Sequence, residues 1–241
     1  VVVSVKESKM IKGQHISHKF DEEVEALTSS VLSMGGLVCQ QLNSAVTALL
    51  TCDKAMAEAV IEDDVKVNTF DVKIDEQCNR IIVMRQPTAT DLRLVMAIIK
   101  TTNDLERIGD EAKRIARQAI DISARGPIPE LFDSIEQLAE RVKDMLNRSL
   151  DAFARKNIEE AVSVISLDTK VDKDYENLTR QQITYMMEDP RKIPASIDLL
   201  WSARALERIG DRSCNICEYV IYLVKGKDVR HIDLEELEDH L

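Results

Sequence analysis

The stretch Glu106-Arg107-Ile108-Gly109-Asp110 is written a second time as Glu207-Arg208-Ile209-Gly210-Asp211, from 106 to 207, a displacement of 101 residues. Upstream, Asp71-Val72-Lys73-Ile74-Asp75 recurs as Asp168-Thr169-Lys170-Val171-Asp172, from 71 to 168, a displacement of 97. The mismatch between the two displacements falls in a loop, where Arg85-Gln86-Pro87-Thr88 faces the longer stretch from Glu188 to Pro194. Loops tolerate such insertions. A repeat of about 100 residues exceeds the ~50-residue units of helical solenoids. Each copy therefore reads as a three-helix bundle.

Apolar residues flank both motifs at helical spacing. Leu105, Ile108, Ala112, Ile115 and Ala119 step by three and four, and Leu206, Ile209, Ile216 and Val220 hold the matching places. Val67, Phe70, Ile74, Cys78 and Ile81 correspond in the same way to Val164, Leu167, Val171, Tyr175 and Leu178. Such stripes give each helix one buried face. The breakers are concentrated at Pro87, at Gly126, Pro127 and Pro129, at Pro190 and Pro194, and at Gly226. With Asp53 and Asn157 read as N-caps, they predict helices over 20–51, 53–85, 89–124, 129–156, 157–188 and 194–225. The expected fold is all-α, two tandem three-helix bundles related by internal duplication. The bundles span 15–126 and 127–226, between a flexible flank at 1–14 and an acidic tail at 227–241.

The totals agree. Hydrophobic residues make up 44% of the 241 residues, enough for a core, while 4% aromatic residues, 7 Gly and 5 Pro suit helices better than strands and turns. A net charge of −11 disfavours a nucleic-acid binder, and an acidic surface suits cations, basic protein patches or solubility. No apolar run approaches the ~20 residues of a membrane span, and the first residues lack the order of a signal peptide, so the expectation is a cytoplasmic protein. The five cysteines make no disulfide framework. Cys214-x-x-Cys217 lies in a helical pattern without a second pair, and reads as small core or boundary residues rather than a zinc or redox site.

The repeated acidic pairs are the candidate site. Residues four apart on a helix lie one turn above each other. Glu106 and Asp110 project away from the Leu105/Ile108/Ala112 stripe, and Asp71 and Asp75 sit at the edge of theirs, so the four carboxylates are expected to meet in an outer groove. Asp168, Asp172, Glu207 and Asp211 should do the same in the second copy. All four histidines, His15, His18, His231 and His240, lie in the flanks. An oxygen-only donor set suits iron, Mn²⁺, Mg²⁺ or Ca²⁺ better than structural zinc. Solvated helix faces carry such pairs too, with Lys73, Arg107, Lys170 and Arg208 near enough for exposed ion pairs of little worth. Gly109 and Gly210, each costing roughly 1 kcal/mol inside a helix, point to close helix packing, or to room for a ligand, beside the pairs. Gly35-Gly36 has no counterpart in the fourth helix.

Together the two Glu-Arg-Ile-Gly-Asp motifs, the Asp-x-Lys-x-Asp motif and its second copy, Met34-Gly35-Gly36 and the run Arg85-Gln86-Pro87-Thr88-Ala89-Thr90-Asp91-Leu92-Arg93 resemble the PhoU family of bacterial phosphate-transport regulators, over residues 15–231. The resemblance implies two three-helix bundles with surface metal clusters, iron or another hard cation, on Asp71, Asp75, Glu106 and Asp110 and on Asp168, Asp172, Glu207 and Asp211. It implies a homodimer and a negative regulator of the Pho regulon, one that couples the phosphate ABC transporter to the PhoR sensor kinase through contacts with PhoR and the transporter ATPase PstB. The protein would then be cytoplasmic and reach the inner membrane through those partners. The residues themselves agree with a non-enzyme: there is no nucleophile and base pair, no phosphate-cradling glycine loop and no evident phosphate pocket. The alternatives are a metal-dependent carboxylate-cluster enzyme and a metal-free scaffold for basic partner surfaces.

Overall fold

Asp53 separates the first two helices. Cys52 turns left-handed (φ 54°) and closes the first helix, and the Asp53 carboxylate accepts from the Met56 N–H at 3.0 Å to open the second. Asn157 does the same for a later helix, accepting from Glu160 N–H at 3.0 Å. Both expected N-caps are thus in place, each satisfying an amide that has no partner within its helix. The computed structural model describes the backbone of residues 2–125 and 132–229 and the side chains of residues 20–125 and 132–229. The expectations for the four histidines, for the Gly126/Pro127/Pro129 break and for the tail from 230 onward lie outside the described residues.

The helices are α1 (Val2–Thr51), α2 (Lys54–Arg85), α3 (Ala89–Arg125), α4 (Asp133–Arg155), α5 (Ile158–Ile165), α6 (Asp168–Glu188) and, after a 3₁₀ turn at Pro190–Lys192, α7 (Ile193–Lys225). Among the described residues there is no strand. Two boundaries differ from expectation. The first helix begins at Val2 rather than residue 20 and takes in the segment read as a flank. The single helix expected over 157–188 is two, α5 and α6, broken at Ser166-Leu167. The chain does not reverse there: both residues stay near right-handed helical angles, and Leu167 N–H bonds back only three residues, to Val164 C=O at 2.9 Å. The Ser166 hydroxyl bonds the Ser163 carbonyl at 2.7 Å and competes with the helix ladder. Asp168 thereby lies in the first turn of α6, where the helix dipole favours a carboxylate.

α1, α2 and α3 form one bundle and α4, α5–α6 and α7 the other. They meet along their third helices: α3 and α7 run antiparallel, from Arg93 against Gly226 at one end to Arg125 paired with Asp198 at the other. α1 also touches α4, where a Cβ on Gly35 would fall 2.8 Å from Leu150 Cδ2. One apolar cluster runs through both repeats. The expected stripes are in it, with Ile74, Leu105, Ile108, Ile115, Val171, Leu178, Leu206, Ile209 and Ile216 all at 0% exposure. Phe70, Leu167 and Tyr175 pack half-buried at its margin. One buried face per helix is too few for α3 and α7. Each buries a wider arc than the expected stripe, with Asp104 and Glu111 at one edge of it on α3 and Ala205 at the matching edge on α7. The seam between repeats is the reason: a helix covered from two sides carries small and polar residues where its sequence alone suggests a solvated face.

The glycines fit close packing. A Cβ on Gly109 would stand 3.1 Å from Gln41 Oε1 and 3.4 Å from Val67 Cγ1, and one on Gly210 would stand 3.4 Å from Val171 Cγ1. The adjacent Gly36 differs, since nothing lies within 4 Å of a Cβ there. Cys214 and Cys217 are buried at 8% and 0% exposure, consistent with small core residues.

Candidate functional site

In the first repeat α2 brings Asp71 and Asp75 beside Thr102 and Asn103 of α3, all lining one concavity, with Glu106 a turn further along α3. Burial raises the Asp71 carboxyl above the ordinary range, and Asp75 adds to it. Burial likewise raises Glu106, followed by repulsion from Asp110 and then from Asp71 and Asp64. Carboxylates of both helices therefore act on one another, but the expected register between the repeats is corrected: Gly109 packs on Val67 and Gly210 on Val171, a displacement of 104, so Asp64 rather than Asp71 is the counterpart of Asp168. Asp64 was not expected. It lies two turns before Asp71 on α2, is 5% exposed, and accepts from the Gln41 amide at 3.1 Å and the Asn68 amide at 3.3 Å. Lys113, from the turn after Asp110, reaches between the helices. Its ammonium pairs with Asp64 and, at 2.8 Å, with Asp110 Oδ1.

The second repeat assembles Asp168 and Asp172 of α6 with Glu207 and Asp211 of α7. Burial, then Asp172 and Asp211, push the Asp168 carboxyl up to about 6. Glu207 is raised by burial and by Asp211, then Asp172. Asp211 lies at the surface, yet the surrounding helices and Asp172 raise it also. The expectation that Glu207 faces outward is corrected. It is 9% exposed, while Glu106 keeps 28% of its side chain in solvent. Arg204, one turn earlier, folds over Glu207 and pairs with Oε1. Oε2 has no hydrogen-bond partner, nor has the buried Oδ1 of Asp168.

The two sites adjoin. Asp110 and Asp211 line one groove across the α3/α7 seam, together with Arg107, Arg114, Arg204 and Arg208. Of the cations expected to neutralise the pairs, Arg107 lies 3.6 Å from Glu106, but Arg208 crosses the seam to Glu111 at 3.2 Å. Beside it Asp104, 6% exposed, accepts from Arg212 at 2.9 Å, Asn215 at 3.4 Å and Tyr219 at 2.9 Å, all three on the other repeat. Sequence reasoning missed Asp64, Asp104, Glu111, Lys113 and Arg204. Asp104 and Glu111 flank the Glu106–Asp110 motif at helical spacing, so one signal was available: an acidic residue in register with a buried stripe.

The donor set offered to a cation is carboxylate oxygen throughout. Among the described residues no three His, Cys, Asp or Glu side chains are disposed to hold a metal ion as they stand, so a cation would have to draw the carboxylates inward by side-chain rotation. The orphaned, buried Asp168 and Glu207 oxygens fit that requirement in the second repeat; the Lys113 ammonium occupies the corresponding region of the first. The buried thiols are poor nucleophiles. Burial pushes Cys78 up to about 12 and raises Cys214 and Cys217 as well, and only the thiolate reacts. No described helix is long and apolar enough to cross a membrane.

Comparison with known proteins matches this architecture. The PhoU domain model fits residues 31–119 and again 135–220, once on each repeat. The phosphate-specific transport system accessory protein PhoU of Serratia marcescens is 52% identical over 225 residues, 93% of this chain and 92% of that protein. The crystal structure of PhoU from Pseudomonas aeruginosa superposes with a TM-score of 0.84 at 46% identity, covering 86% of this chain and 100% of that one. That of the phosphate transport system regulatory protein PhoU from Streptococcus pneumoniae superposes at 0.81 and 32% identity, covering 87% and 99%. These relatives are named accessory and regulatory proteins, not enzymes.

Proposed function

The chain belongs to the PhoU family, and on that premise we propose that it silences the phosphate-starvation response by coupling the phosphate ABC transporter to the PhoR sensor kinase when phosphate is plentiful. It is an accessory protein of a phosphate transport system, with a regulatory role rather than a catalytic one. The observation that carries the finer reading is the match of both repeats to the same domain as the accessory protein of Serratia marcescens, over nearly the full length of each chain. PhoR and the transporter ATPase PstB are the proposed partners. They would hold a homodimer of this protein at the cytoplasmic face of the inner membrane.

The carboxylate sites are proposed to take a hard cation, iron, Mn²⁺, Mg²⁺ or Ca²⁺, on Asp71, Asp75, Glu106 and Asp110 or on Asp168, Asp172, Glu207 and Asp211. What supports this is the mutual repulsion of clustered acidic groups, Glu207 buried among them, which a divalent ion would relieve.

Deleting the gene should derepress a phosphate-starvation reporter in phosphate-rich medium, and the wild-type gene should restore repression. A reporter that stays silent in the deletion strain overturns the regulatory reading. Retrieval of PhoR and PstB with the wild-type protein from phosphate-replete cells tests the partners separately.

A further inference from the structure

The two acidic sites share the Glu-Arg-Ile-Gly-Asp motif and differ in what surrounds it. In the first repeat Lys113 stands one turn beyond Asp110 and inserts its ammonium between Asp110 and the buried Asp64. Gln41 donates its amide to the other Asp64 oxygen, Oδ1, and Gly109 leaves the room that Gln41 needs. By the displacement of 101 that relates α3 to α7, the place of Lys113 is taken by Cys214. Packed against Gly109 and Gly210 stand Val67 and Val171, each 3.4 Å from a Cβ there, so α2 and α6 correspond by a displacement of 104 and the place of Asp64 is taken by Asp168. Cys214 is uncharged and buried, so the second repeat keeps the acid and lacks its ammonium.

The electrostatic consequence differs between the copies. Lys113 is a fixed positive charge at the first site, 19% exposed and bonded to two carboxylates. Charge-assisted hydrogen bonds of this kind are the strong ones, and a divalent cation binding nearby would have to displace or repel the ammonium. In the second site the Cys214 thiol lies against Asp168 and supplies no charge. Arg204 approaches Glu207 with 42% of its side chain in solvent and engages Oε1 only. Glu207 is nine-tenths buried, and its Oε2, acted on by Asp211 and Asp172, has no partner; the buried Asp168 Oδ1 has none either. Buried acceptor atoms without donors are costly, and a cation bound among these carboxylates would relieve that cost.

We propose that the repeats have diverged in what neutralises their acidic groove: the first carries its own cation in Lys113, and only the second takes an external divalent ion. The proposal rests on the cation reading of the carboxylate sites and narrows it to one half of the molecule. Lys113 acts as a specificity-determining residue that closes the first site.

The test is Mn²⁺ binding to the full, untagged chain after chelator treatment, measured by equilibrium dialysis with the free ion followed by electron paramagnetic resonance. Glu207→Gln and Asp168→Asn should each weaken Mn²⁺ binding at least about tenfold, while Glu106→Gln leaves it unchanged. Lys113→Gln should raise the Mn²⁺ bound per chain, and Glu106→Gln in that background should remove the gain. Lys113→Ala serves as a second variant, with helical circular dichroism confirming that each variant is folded. Equal losses in Glu106→Gln and Glu207→Gln, or no gain in either Lys113 variant, overturn the asymmetry and leave the cation reading standing. No Mn²⁺ on any protein overturns the cation reading itself.

Discussion

Replacing Asp104 with alanine removes the acceptor on which Arg212, Asn215 and Tyr219 converge from the other repeat. Asp104 is 6% exposed, whereas Arg212 keeps 28% of its side chain in solvent. Removing one partner of a buried pair costs about 3–5 kcal/mol, and the partial exposure of Arg212 lets water take up part of its lost interaction. The expected loss is therefore ~3 kcal/mol. Tyr219→Phe deletes a single hydrogen bond to a charged group and should cost about 1.5–3 kcal/mol. With a urea slope of ~3 kcal/mol/M for a chain of this size, Asp104→Ala should lower the unfolding midpoint by about 1 M. The control is Asp63→Ala, whose exposed pair with Lys66 is worth under about 1 kcal/mol. Because one apolar cluster spans both repeats, circular dichroism and Trp201 fluorescence should report the same transition. A midpoint shift for Asp104→Ala no larger than that of Asp63→Ala would refute the seam as a source of stability. Separate transitions for the two probes would refute the shared core.

Glycine substitutions should act in opposite directions: Gly36→Ala stabilises by about 0.5–1 kcal/mol in thermal melts, being mid-helix with open space at Cβ. Gly226→Ala destabilises by ~1–2 kcal/mol, because φ is +73° and the new Cβ would stand 2.6 Å from Arg93 Nη1. Asp168, Glu207 and Asp211 have folded-state values above their unfolded ones, so the folded state binds more protons. Their contribution is full below about pH 4 and is lost as pH rises through the Asp168 value of about 6. Urea midpoints in chelator should therefore fall less between pH 5 and pH 7 for Asp168→Asn than for the wild type, and an unchanged slope would exclude Asp168 as the titrating group. A thiol reagent at neutral pH should label Cys52 first and Cys39 slowly, the latter pushed up to about 11 by burial, while Cys78, Cys214 and Cys217 react only on unfolding. Rapid labelling of Cys214 in the folded protein would contradict its burial.

Most of the architecture was legible because helical periodicity and capping are local. The stripe from Leu105 to Ala119 identifies a buried face by spacing alone, and Asp53 and Asn157 announce helix starts through side chains that bond amides three residues away. The α5/α6 break was not legible, since Ser166 is also tolerated within helices and its hydroxyl has to choose between solvent and the Ser163 carbonyl. The convergence of Asp168 and Asp172 with Glu207 and Asp211 was readable from the repeat. The burial of Glu207 was not, because it depends on how Arg204 and the neighbouring helices close over it.

By itself the sequence determined the duplicated all-helical plan, the faces that each helix buries within its own bundle, and the recurrence of the Glu-Arg-Ile-Gly-Asp acids. Those properties follow from residue spacing along a single helix or from direct repetition. Only the tertiary structure decided that α3 and α7 lie antiparallel with a polar seam between them, that Asp64 and Lys113 meet 49 residues apart in the chain, and that the second acidic site lacks such a partner. Those are relations between helices. A periodic pattern says that a face is covered without saying which residue, acid or ammonium, comes to cover it.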